Sequence, residues 1–259
     1  MNVELAPSSG YTSRNYNAGS VSNQGFELQL TGSPLSIGNA FSWNMSFTLS
    51  KNISRVDELY EGKERLQLGT VPVEFVYIEA RPGMPYGQIY GYDYARDDNG
   101  NILVDNGGMP VATDETVALG NLNPDLMAGW SNNFRYNNIN LSFLIDAQIG
   151  GDYYSQSEVY GDFFGTGKNS LKGREEWYST HEGPTNSDDI RGVFPDGYIQ
   201  EGVNENTGAV NDLPVDPMWR SVETTYFRKI MPDYIMDATN IRLRELVLGY
   251  QLPAALTSN

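Results

Sequence analysis

Between Phe41 and Ser50 the chain reads FSWNMSFTLS. Phe41, Trp43, Met45, Phe47 and Leu49 fall on one parity, and Ser42, Asn44, Ser46, Thr48 and Ser50 on the other. A strand turns successive side chains to opposite faces, whereas a helix repeats every 3.6 residues and would scatter both sets around its circumference. The segment is expected to be a strand with one apolar and one polar face. The alternation recurs in GFELQL, where Phe26, Leu28 and Leu30 oppose Glu27, Gln29 and Thr31. In AGWSNNFRY, Trp130, Phe134 and Tyr136 oppose Ser131, Asn133 and Arg135. In LSFLIDAQI, Leu141, Phe143, Ile145, Ala147 and Ile149 share a face, with Leu144 the misfit. Near the end, IRLRELVLGYQLP sets Leu246, Leu248, Tyr250 and Leu252 on one parity but Ile241 and Leu243 on the other, so a bulge is expected near Glu245.

Five strands follow, near 25–31, 41–50, 127–136, 139–149 and 241–252, and their connections alternate in length. Asn137-Asn138 and the stretch from Gly32 to Asn39, with Pro34 and Gly38, are brief turns. The links 51–126 and 151–239 hold roughly 75 and 90 residues, against a usual median of about 4 to 6. Tight turns on one side and large loops on the other are the pattern of an outer-membrane barrel, and apolar faces of about 9 to 11 residues suit a tilted strand crossing hydrocarbon. The expected class is therefore all-β: an open piece of a large antiparallel transmembrane barrel with long extracellular loops. Phe41, Trp43, Met45, Phe47 and Leu49 are then lipid-facing. The alternative is a secreted β-sandwich that binds glycans and covers the same five side chains with a facing sheet.

Composition narrows the function. There are 27 Gly, 17 Tyr, 10 Phe and 4 Trp, which favours strands and turns over helices. With 33 acidic against 17 basic residues the formal charge is −16, and nucleic acid is a poor partner for such a surface. No apolar run approaches the roughly 18 residues of a membrane helix, and the start Met-Asn-Val-Glu-Leu is unlike a signal peptide. Zero cysteines exclude disulfides, thiolate metal sites and cysteine nucleophiles.

Candidate chemistry lies mainly in the second long link. Tyr153, Tyr154, Tyr160, Phe163, Phe164, Trp177, Tyr178, Tyr198, Trp219 and Tyr226 crowd it among Asp, Asn and Glu. Such aromatics can stack on sugar faces or contact a partner, or else pack the loop's own core. Glu175, Glu176, Asp188, Asp189, Asp196, Glu201 and Glu205 could supply a glycosidase pair, but nothing selects two of them, and no enzyme activity is expected. The single histidine, His181, is expected in an exposed turn. ARDDNGNILVD should form a small hairpin on a type I′ turn at Asn99-Gly100. It superficially matches a calcium loop, yet with Gly100 sixth the first position is Ala95 and the twelfth Asn106, not Glu. No cofactor is expected, with loop calcium the alternative.

Several strings together, GSVSNQGFELQL, FSWNMSFTLSKNISRVDEL, MPYGQIYGYDY, LGNLNPDLMAGWSNNFRYNNINLSFLIDAQIGGDYY and DATNIRLRELVLGYQLP, resemble the SusC/RagA family in order and spacing. These are TonB-linked outer-membrane importers of oligosaccharides or peptides in Bacteroidetes. The resemblance implies a barrel of the roughly 22-stranded plugged type. It further implies coupling to TonB through a plug that these residues do not contain, and a SusD-like lipoprotein over the mouth. It places residues 1–23 in an extracellular loop, and Arg242, Arg244 and Glu245 of RLREL as lumen charges facing the plug, as an ion-pair cluster. With no plug sequence and no aromatic terminus at Asn259, the expectation is a C-terminal piece cut at both ends.

Overall fold

The computed structural model describes residues 2–4, 8, 10, 13–15, 19–38, 40–70, 75–180 and 197–253. Its largest element is one antiparallel sheet of five strands: β1 (Ser20–Ile37), β2 (Phe41–Glu58), β7 (Leu126–Tyr136), β8 (Ile139–Ile149) and β11 (Asn240–Tyr250). They lie side by side in the order β11-β8-β7-β2-β1, with both edges open. The register aligns the apolar parities across all five. Leu30, Phe47, Trp130, Ile145 and Leu243 form one cross-strand row, and Leu35, Trp43, Phe134, Leu141 and Leu248 another. The opposite face carries Ser46, Ser131, Leu144 and Glu245 in register, so Leu144, like Met127 and Val247, is an apolar residue on the polar side.

The irregularities serve that alignment. On β11 the register shifts between the partners of Leu144 and Ile145: Glu245 pairs with Leu144 and Leu243 with Ile145, leaving Arg244 extra. This bulge returns Ile241 and Leu243 to the face of Leu246 and Leu248, because a one-residue slip otherwise inverts every side chain beyond it. On β1 a second bulge lets Ser33 and Pro34 oppose one residue between the pairs Gly32–Met45 and Leu35–Trp43. Proline is tolerated there since β1 is an edge strand and a bulge needs no ladder donor. The strand therefore continues past Gly32 to Ile37, where a turn had been expected, and Gly38 and Ala40 lie in the reversal that precedes Phe41. Ser20–Asn23 likewise belong to β1 and not to a loop.

The apolar face is uncovered. Ile241 and Leu248 are 76% and 75% exposed, and Leu30, Ile37, Leu246 and Tyr250 are also open. Among the described residues no second sheet lies over it, which removes the sandwich alternative. Phe41, Trp43, Met45, Phe47 and Leu49, flanked on both sides by neighbouring strands, are half-buried. No helix among the described residues is long and apolar enough to cross a membrane, which has no bearing on crossing by strands.

The two long links are not structureless. The first builds a four-stranded antiparallel sheet from β3 (Leu66–Thr70), β4 (Val76–Ala80), β5 (Gln88–Gly91) and β6 (Val117–Asn121). The second holds β9 (Asp152–Tyr154), α1 (Gln156–Phe163), α2 (Arg174–Thr180), α3 (Pro217–Val222) and β10 (Ile235–Asp237), with β9 and β10 paired. The helices are short, so periodicity could not reveal them, but their starts carry local signals. Ser155 accepts the amide of Glu158, and Asp216 accepts those of Met218 and Trp219 with Pro217 at the first helical position. The excursions share one core: Phe75, Val76 and Ile89 of the first pack with Val159, Met231 and Tyr234 of the second. Arg228 of the second ties to Asp105 of the first at 2.6 Å.

At Asn99-Gly100 the hairpin forms, with Arg96 opposite Ile102, but only Gly100 takes positive φ (85°). A type I′ turn needs it at both residues, so this expectation is corrected. The Asp97 carboxylate explains the change: it accepts the amides of Asn99 and Asn101 and the Asn101 side chain. Those bonds hold it below the usual aspartate range, the Asn101 side chain contributing most.

Candidate functional site

Of the ten aromatics singled out in the second link, the fold brings five together. Tyr160 and Phe164 lie 6.1 Å apart between ring centroids, Phe164 and Phe163 4.9 Å, and Phe163 and Tyr226 5.5 Å. Tyr226 meets Phe227 at 5.4 Å, and Phe227 meets Trp219 at 5.9 Å. The result is a ridge of six rings, footed on Phe75 beneath Tyr226. Its crest faces outward, with Phe164 65% and Phe227 59% exposed. Two elements make it. Helix α1 places Tyr160, Phe163 and Phe164 near its C-terminus, and α3 runs on into a π-helical turn, Glu223–Phe227, closed by the Arg228 amide on the Glu223 carbonyl. The extra residue in that turn sets Tyr226 and Phe227 beside the α1 rings, and such turns recur at functional sites. Phe227 was not singled out from sequence, although its position beside Tyr226 was a usable signal.

The remaining aromatics divide. Trp177 is fully buried against Gly197, a core ring unable to touch a solute or partner, and its place among the contact candidates is corrected. Tyr154 packs at the margin of the shared core, and burial, then the nearby Tyr160, push its phenol up to about 12. Tyr153 and Tyr178 are half exposed and lie apart from the ridge. Tyr198 lies under two cations, Arg220 at 4.7 Å and Lys172 at 5.2 Å from its ring. His181, Asp188, Asp189 and Asp196 lie outside the described residues. Among the described residues no group of three or more carboxylates or histidines gathers as a metal site.

On the polar face of the five-stranded sheet, the bulge at Arg244 brings two guanidinium groups to one carboxylate. Arg242 and Arg244 each lie 3.2 Å from Asp146 Oδ2. Their shared partner is Asp146 on the neighbouring strand, not the adjacent Glu245, because Asp146 pairs across from Arg242 in register. On the apolar face one polar residue stands out: Asn132, 1% exposed, sits among Trp43, Trp130, Phe134 and Phe143. Its Oδ1 accepts the Trp43 indole N–H at 3.0 Å, while Phe134 stacks on Trp43 at 5.5 Å. The Trp43 ring thus covers the amide and satisfies its own donor and the Asn132 carbonyl, while the Asn132 Nδ2 has no hydrogen-bond partner among the described residues.

A polar cavity of about 890 Å³ opens in the first excursion between Arg65, Arg81, Tyr90, Tyr92 and Asp114. Arg81 is fixed there by Glu79 at 2.8 Å and by the face of Tyr90, 3.6 Å from the ring centroid.

No family model matches the chain. It is similar to two TonB-dependent receptors of Formosa agariphila: P3, 23% identical over 95% of this chain, and P26, 27% identical over 84%. The chain spans about a quarter of their length, 23% and 25% respectively. Among solved structures it resembles the RagAB peptide transporter, with a TM-score of 0.58 at 17% identity over 99% of this chain and 26% of that one. The RagAB peptide importer in its open-open state gives 0.56 at 16%.

Proposed function

We propose that the chain is of the SusC/RagA type of TonB-dependent receptor and forms part of the barrel wall of an outer-membrane importer. The observation that carries this is the five-stranded meander with one continuous, uncovered apolar face, backed by a polar face with charges on Arg242, Arg244 and Asp146. Lipid tails covering the first face and an aqueous bore along the second satisfy both sets of side chains. On this reading Phe41, Trp43, Met45, Phe47 and Leu49 touch lipid. Arg242 and Arg244 face the lumen and its plug, and the open edges of β1 and β11 pair with further strands.

The reversal before Phe41 and the turn Asn137–Asn138 lie on the periplasmic side, and both excursions lie outside the cell. Their shared core gives them a fixed shape at the mouth, where the ridge of Tyr160, Phe163, Phe164, Trp219, Tyr226 and Phe227 meets either an incoming oligosaccharide or peptide or a SusD-like lipoprotein. TonB acts through the plug, and this segment carries no covalent chemistry. The likeness to the RagAB peptide transporter favours this reading.

Because this segment has no cysteine, a single cysteine placed in it reports its orientation once any cysteines elsewhere in the receptor are replaced by serine. In the complete receptor on intact cells, Asp98→Cys in the excursion should react with a membrane-impermeant maleimide. Asn138→Cys should react only after the outer membrane is opened. Equal labelling of both on intact cells would overturn the placement.

A further inference from the structure

We propose that the cavity between α3 and the turn before α2 binds the carboxylate of an acidic solute, through Arg220 and Lys172. The cavity, about 410 Å³, is lined by Asn169, Lys172, Tyr198, Arg220 and Asp233. Arg220 is only 6% exposed, yet no carboxylate oxygen of the described residues comes within 4.0 Å of it. Its hydrogen bonds, from Nε at 3.3 Å and Nη2 at 2.9 Å, both go to one neutral acceptor, Gln200 Oε1. A buried guanidinium ordinarily has an anionic partner, because removing it from water costs several kcal/mol that a neutral amide only partly offsets.

A second cation stands at the same place. The exposed Lys172 ammonium and the Arg220 guanidinium both lie against the Tyr198 ring, which gathers two positive charges at the cavity wall. The one carboxylate of the lining, Asp233, accepts the Tyr94 hydroxyl at 2.6 Å. It is thereby an acceptor in the same lining as the two cations. Such a site suits a carboxylate beside a hydrogen-bond donor: the first on Arg220, where a planar bidentate pair is available, and the second toward Asp233. A uronic acid unit and the C-terminal residue of a peptide both present that combination. Binding itself is independent of the importer reading; only access from outside the cell rests on it.

The test is calorimetry on the complete receptor in detergent, with trigalacturonate and N-acetyl-trialanine as acidic probes and maltotriose as the neutral one. At least one acidic probe should bind about tenfold or more tightly than maltotriose, and should weaken as salt is raised. Lys172→Gln, at an exposed position, should cost about tenfold for the acidic probe and leave maltotriose unchanged, and Arg220→Met should cost more. Preference between trigalacturonate and N-acetyl-trialanine identifies the source of the carboxylate. Acidic probes that bind no better than maltotriose, or acidic-probe affinity indifferent to both Lys172→Gln and salt, would overturn the proposal. If Arg220→Met does not fold, Lys172→Gln and the salt series still decide. Failure here leaves the cysteine-labelling pattern untouched, so the two ideas fall separately.

Discussion

The five-stranded sheet and the paired excursions solve the same problem in opposite ways. In the excursions Phe75, Val76, Ile89, Val159, Met231 and Tyr234 are buried against one another, as in a water-soluble domain. In the sheet, equally apolar Leu30, Ile241, Leu246 and Leu248 point away from the protein. Hydrophobicity is alike in the two regions; the covering differs. A core made by the chain itself needs residues from distant segments to converge, whereas a lipid-facing stripe needs only period two and a common register. The contrast also explains where polar groups sit. Asp162, buried in the second excursion, accepts bonds from Asn169 and the Tyr234 hydroxyl, while on the sheet's apolar face the one buried amide, Asn132, hides under Trp43.

Alkali should separate the two regions most sharply. Burial raises the phenols of Tyr94, Tyr154 and Tyr234 well above their ordinary value of 10.0, with neighbouring Asp233 and Asp162 adding to the first and third. A group whose folded pKa is raised keeps its proton longer in the native state, so its contribution is complete below about pH 10 and is lost as pH climbs through the folded value. The excursion core should therefore loosen from about pH 10 to 12 and beyond, while the sheet of the membrane-inserted receptor persists. Tyrosinate absorbance followed beside far-ultraviolet circular dichroism checks this, and simultaneous collapse of both signals would deny that the regions are independent.

A smaller but pointed effect is expected from Leu246→Arg in the complete receptor folded into vesicles. On a lipid-covered face it should destabilise by about 2 to 4 kcal/mol near the midplane, whereas on a water-exposed face such a change lies within about 0.5 kcal/mol. Ser142→Arg, on the polar face, is the control. Denaturant titrations distinguish the cases, and equal tolerance at the two sites would remove the lipid assignment.

Trp43→Phe keeps the ring but strips the donor from Asn132, leaving a buried carbonyl without a partner. A loss of about 1 to 3 kcal/mol should follow in the same titration, largely recovered by adding Asn132→Leu. The smallest change is Asp146→Asn, which leaves Arg242 and Arg244 facing each other. Both arginines are more than half exposed, so solvent screening limits the loss to about 0.5 to 1 kcal/mol, and it should fade as salt is raised.

Strand placement was legible in the residues because alternation is a local property: FSWNMSFTLS can be little else, and the phase slip in IRLRELV announced the bulge that the structure places at Arg244. The end of β1 was not legible, since Pro34 reads as a turn unless the strand is known to be an edge. The ridge was half legible. The aromatics of 151–239 were conspicuous, but Phe227 belongs with them and Trp177 does not, and that division depends on which rings the π-helical turn and Gly197 happen to meet.

By itself, then, the order of residues determined the periodicity, the faces and the alternation of short and long connections, each settled by near neighbours along the chain. Only the tertiary structure decided that the two excursions share one core, that Arg242 and Arg244 converge on Asp146, and that Arg220 is buried with no carboxylate of the described residues within 4.0 Å. Those are contacts between residues far apart in sequence, and nothing local encodes which distant side chain will arrive.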